Sequence, residues 1–123
     1  MRNRKLPAWK GGAYLRVRLF FDRCLWGFRN RVRWRLKLAG YSVVVRGGGF
    51  RGISKYDFMV LKWLTKHPDF ILITADKRLY EKAQTKGLKA VLIDPREKGE
   101  IETQIIKKIA RKLRDEEEAT SKT

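Results

Sequence analysis

The chain has 123 residues, enough for one domain around one core, and its 43% hydrophobic and 35% charged residues argue against wholesale disorder. Thirty Lys and Arg against thirteen Asp and Glu give a formal net charge of +17, a self-repulsion that points to a polyanionic partner, nucleic acid first and RNA above all. A single cysteine, Cys24, excludes an intramolecular disulfide framework and a Cys-based zinc site, and no apolar run approaches the roughly 20 residues of a membrane span, so the chain reads as cytoplasmic with no membrane partner.

The charge is uneven. Residues 1–62 hold sixteen Lys and Arg against two acids, Asp22 and Asp57, while residues 63–123 hold fourteen against eleven. Residues 1–13 are basic, without periodicity, and end in Gly11 and Gly12; they read as an arm for phosphates or as a frayed terminus. The domain proper is expected over 14–114. It opens with Leu15, Val17, Leu19 and Phe21 alternating with Arg16, Arg18 and Phe20, the pattern of a strand over 15–21. Leu25, Phe28, Val32, Leu36 and Ala39 then recur at three- and four-residue spacing, with Arg29, Arg31, Arg33, Arg35 and Lys37 between them. That predicts a basic amphipathic helix closed by Gly40.

Residues 41–45 predict a second strand, followed by a glycine-rich loop over 47–52 that matches no nucleotide-binding spacing. Ser54 and Asp57 resemble a capping box, opening a helix whose Phe58, Leu61 and Leu64 should face the core and which stops at His67-Pro68. Residues 70–74 are continuously apolar, as in a buried parallel strand, and run into Asp76. A third helix to Lys86, capped by Gly87, precedes a strand over 88–93 that Pro95 breaks. Ile101, Ile105, Ile109 and Leu113 mark a last helix, and 115–123 form an acidic, then polar, tail. This order predicts an α/β three-layer sandwich: a mostly parallel four-stranded sheet, right-handed crossovers and helices on both faces.

In such sheets ligands bind beyond the carboxyl ends of the strands, where Asp22 and Asp76 are expected. With Asp57 starting a helix on the same edge, the three carboxylates are candidate catalytic and metal-binding residues for Mg²⁺ or Mn²⁺, hard cations that activate water and neutralise charge on a phosphodiester. Each acid also has a structural reading. Asp57 and Asp76 can cap helices, and Asp22 can pair with Arg23 or Arg46. The candidate nucleic-acid contacts are Arg16, Arg18, Arg23, Arg29, Arg31, Arg33, Arg35, Lys37, Arg46, Arg51, Lys77 and Arg78. Trp26 and Trp34 are expected in the core, with base stacking as the alternative, and His67 is expected to cap a helix end rather than act as a base.

Leu19-Phe20-Phe21-Asp22, Leu38-Ala39-Gly40-Tyr41-Ser42-Val43, Ser54-Lys55-Tyr56-Asp57 and Ile71-Leu72-Ile73-Thr74-Ala75-Asp76-Lys77 together resemble successive signatures of compact PIN-like domains related to the Mut7-C group, over roughly residues 15–94. The resemblance implies a nuclease-like fold, a metal-dependent endoribonuclease with Mg²⁺ or Mn²⁺ on the three acids, and a homodimer as one assembly such domains adopt. Arg23 and Arg78 stand where relatives often carry acids. They support the alternative of a PIN-like RNA-binding protein without metal chemistry, associated with the ribosome or an RNA-processing particle. A third reading makes the acidic tail a regulatory cover for the basic face.

Overall fold

The computed structural model describes residues 16–47 and 57–121, with 116–121 described by their backbone alone. The arm over 1–13, Leu15, Arg51 and the Ser54 end of the expected capping box lie outside the described residues. Strand β1 (Arg16–Phe21) is followed by a 3-10 helix (Arg23–Phe28), α1 (Arg29–Leu38), β2 (Ser42–Gly47), α2 (Asp57–Lys66), β3 (Phe70–Thr74), α3 (Lys77–Thr85), β4 (Ala90–Leu92) and α4 (Ile101–Ser121). The four strands form one all-parallel sheet in the order β2-β1-β3-β4.

That order dictates the layers. The chain steps from β1 to β2 in one direction and from β2 through β3 to β4 in the other, so crossovers of a single hand must put α1 on one face and α2 and α3 on the opposite face. The buried clusters agree. Val17, Leu19, Phe21, Ile71 and Ile73 pack with Val32 and Leu36 of α1 and Ile105 and Ile109 of α4. On the other side Phe20 and Leu72 pack with Val60, Leu61 and Leu64 of α2 and Leu79 and Ala83 of α3. Trp63 joins this second core, its ring 5.2 Å from that of Phe20 and 4.9 Å from that of Phe70.

Several details differ from the sequence reading. The first helical segment divides: residues 23–28 wind as a 3-10 helix entered from Asp22, and only from Arg29 does the α-helix run, to Leu38, with Gly40 at φ 100° just past its Ala39 cap. In α2 the buried positions are 60, 61 and 64, so Phe58, expected in the core, is 69% exposed. The i, i+3 spacing of 58, 61 and 64 also fits a helix face, but the pair at 60 and 61 sets the orientation. Strand β4 is three residues long rather than six, and α4 continues through Asp115 to Ser121, so the acidic run lies inside a helix. Gly87, with φ 74°, closes α3 as expected.

Two side-chain devices hold α4 against the sheet. Gln104, buried, accepts from the Asp94 backbone N–H at 2.6 Å and donates to the Asp94 carbonyl at 2.9 Å. Lys108 donates to the Leu92 carbonyl at 2.6 Å, satisfying an acceptor near the end of the last strand. His67 closes α2 as expected: its Nδ1 lies 2.8 Å from the Trp63 carbonyl, which can only accept and so assigns the proton to Nδ1, and its ring stacks on Trp63 at 3.9 Å.

Candidate functional site

Register brings Asp22 and Thr74 together. Phe21 pairs with Ile73, and the Asp22 backbone N–H adds one more rung by donating to the Ile73 carbonyl at 2.9 Å, which sets Asp22 beside the end of β3. The chain turns to opposite sides of the sheet after β1 and after β3, so this is the switch point where open parallel sheets place ligands.

The Asp22 carboxylate is engaged on both oxygens. Oδ1 accepts from the Arg23 backbone N–H at 2.8 Å, capping the 3-10 helix, and Oδ2 accepts from the Thr74 hydroxyl at 2.7 Å and the Cys24 thiol at 3.6 Å. The expected structural alternative, an ion pair to Arg23 or Arg46, is replaced by this cap: the contact to Arg23 is to its backbone, and the Arg46 guanidinium donates to the Val45 carbonyl. Thr74, fully buried, also accepts from the Asp76 backbone N–H at 2.9 Å. One hydroxyl therefore ties the end of β1 to the start of α3. Asp76 caps α3, its Oδ1 accepting from the N–H groups of Arg78 at 2.9 Å and Leu79 at 3.3 Å. Desolvation, and then the charge of Asp22, push the Cys24 thiol up from its usual range.

Asp57 is the first residue of α2 and half-buried, at the helix end favoured for an acid. Among the described residues no three His, Cys, Asp or Glu side chains gather into a group that could hold a metal ion, and that includes Asp22, Asp57 and Asp76. Each oxygen of Asp22 already accepts an internal hydrogen bond.

The cations spread over three regions. Arg23, Arg46, Lys77 and Arg78 lie at the carboxyl edge, and Arg16 at the amino end of β1, with Arg18 half-buried two residues on. The remaining five sit on α1, where they divide again. Arg29 covers the Trp26 ring at 4.1 Å and donates to the Trp26 carbonyl at 2.9 Å. Arg31 pairs with Glu102 at 3.0 Å, and Arg35 donates to the Thr103 hydroxyl at 2.9 Å, so these two fasten α1 to α4. The Glu102 backbone N–H at the start of α4, together with Arg31 and Arg35, holds the Glu102 carboxyl below its usual range. Arg33 and Lys37 stand exposed with no partner among the described residues.

The sequence reading missed the cations of α4. Lys107, Arg111 and Arg114 are exposed, and Lys108 and Lys112 half-exposed, on the helix that lies against α1. Thr103, which accepts the bond from Arg35, is one turn before Lys107, so the stripe 107, 111, 114 continues the cationic surface of α1. The signal was the spacing of these residues, set off from that of Ile105, Ile109 and Leu113. Lys108, Arg111 and Lys112 also line an open cleft of about 340 Å³ beside β4, with Tyr80 and Asp115.

No described helix is long and apolar enough to cross a membrane. Compared with protein-family models, curated proteins and solved structures, the chain matches none of them.

Proposed function

We propose that this chain binds RNA through the outer surface of its α1–α4 layer. The observation that carries the reading is the run of exposed cations Arg33, Lys37, Lys107, Arg111 and Arg114 on two adjoining helices, where Glu102 is already paired to Arg31. Like charges crowded onto two adjoining helices destabilise a free protein, and a phosphate backbone relieves that cost through counterion release. Arg23, Lys77 and Arg78 extend positive charge around the carboxyl edge, where acids in a metal-dependent nuclease would sit. The PIN-like likeness of the sequence is supported by the strand ended by Asp22, the helix begun by Asp57 and the acid after β3.

A second reading, cleavage of the bound RNA, is favoured by the position of Asp22 and Asp76 at the switch point, joined through Thr74. Binding without cleavage remains the better-supported function, because Asp22 and Asp76 serve as caps. Both readings are tested by titrating a labelled RNA oligonucleotide across a salt series, with Mn²⁺ or with EDTA. The expected result is steep salt dependence, unchanged by EDTA, with the log–log slope reduced by about 1.4 in the double variant Arg33→Gln, Lys37→Gln, at about 0.7 per lost phosphate contact. An affinity indifferent to salt would sink the proposal, and Mn²⁺-dependent cutting abolished by Asp22→Asn would favour the second reading.

A further inference from the structure

Trp34 lies two residues from Val32 and two from Leu36, the buried residues of α1, and two residues are about 200° of helical turn. It therefore projects from the side of α1 opposite the core, and it is 63% exposed. Leu38, one turn on, is 73% exposed. Their neighbours on the helix surface are Arg31 and Lys37, three residues either side of Trp34, with Arg33 and Arg35 adjacent in sequence. Among the described residues none stacks on the Trp34 ring or hydrogen-bonds to its indole. The fold thus leaves its largest kind of apolar side chain in water at the centre of its most cationic helix.

We infer that Trp34 is a stacking platform for an unpaired nucleotide, with Lys37 and, one turn before it on the same flank of α1, Arg33 holding the neighbouring phosphates. The occupant follows from charge and shape. It must be anionic, because cations surround the ring, and it must offer a flat apolar face, because the site is an open indole rather than a groove. A single-stranded nucleic acid supplies both, whereas a duplex hides its base faces in the stack. A second copy of the chain fits poorly, since it would bring the same cations against these. The inference rests on the RNA-binding reading and narrows it to strands with unpaired bases.

The test compares wild type, Trp34→Phe and Trp34→Leu on a single-stranded RNA, on single-stranded DNA of the same sequence, and on the corresponding blunt RNA duplex. Leucine keeps the apolar bulk and loses the π face; phenylalanine keeps a smaller one. Trp34→Leu is expected to weaken single-strand binding about tenfold, Trp34→Phe to recover part of that loss, and duplex binding to stay unchanged. A loss on both RNA and DNA strands supports stacking on bases irrespective of sugar, and a loss on RNA alone supports stacking in an RNA-specific site. If wild type and Trp34→Leu bind the single strands equally, the platform is wrong while RNA binding stands. If wild type binds none of the three, the RNA reading itself has failed. Thermal melting of each variant checks folding, and a dimer in sedimentation that Trp34→Leu dissolves without change in RNA affinity would reassign the ring to a self-interface.

Discussion

Helices α1 and α3 have ten and nine residues, and both run back across the sheet, yet their sequences are written to different rules. In α3 the apolar residues Leu79, Tyr80 and Ala83 turn toward the core, and Lys77, Arg78, Glu81, Lys82 and Gln84 take the solvent side. In α1 cations occupy every odd position from 29 to 37, and Val32, Trp34, Leu36 and Leu38 take even ones. A two-residue repeat wound on a 3.6-residue helix cannot separate two faces. It puts half of the apolar residues in the core and half in water, and it scatters the cations around the circumference. Folding uses one side of α1, and the other side carries apolar and cationic groups that packing alone does not require.

The contrast within α1 has a direct test in stability. Leu36→Ala empties a buried site and is expected to cost about 2–4 kcal/mol in urea unfolding, whereas Leu38→Ala should fall within about 0.5 kcal/mol of wild type. Equal losses at both positions would mean that Leu38 is covered and that the two sides of α1 are not distinct.

A smaller effect is expected where α3 meets β1. Thr74→Val keeps the volume but removes the hydroxyl that serves Asp22 Oδ2 and the Asp76 N–H, leaving polar groups short of a partner at the switch point. A loss of about 1–3 kcal/mol is expected. Far-UV circular dichroism with denaturant would show it, and a neutral result would mean that water replaces the hydroxyl at both partners.

The smallest effect concerns the tie between α1 and α4. Glu102 titrates below its usual range in the folded chain, so its contribution is fully present above the unfolded value, near pH 4.3, and is lost as pH falls through the lower folded value. Because Arg31 is largely exposed, the ion pair contributes about 0.5 kcal/mol. Glu102→Gln should therefore lower stability slightly at pH 7 and flatten its fall between pH 5 and 3, measured as urea midpoints. A variant whose acid limb matches wild type would assign that limb to other carboxylates.

Most elements were legible because hydrophobic repetition is local information. The continuous run Phe70–Thr74 announced a strand buried on both faces, and the glycines at 40 and 87 announced helix ends. The candidate acids were legible as residues that end strands or begin helices. Their bonding was not, because Asp22 meets Thr74 across 52 positions of sequence through the β1–β3 register. Nor did the sequence divide the five cations of α1, since Arg31 and Arg35 are drawn to α4 by residues 71 and 68 positions away.

Composition and periodicity by themselves determined a basic α/β domain with alternating strands and helices, because both depend on residue type and near-neighbour spacing. The tertiary structure alone decided that Phe58 and Trp34 face water, that Asp22 and Asp76 act as caps, and that α4 adds its lysines and arginines to the surface of α1. Which side of a helix is buried, and which carboxylate finds a hydroxyl, depend on the partner element packed against it, and that partner comes from a distant part of the chain.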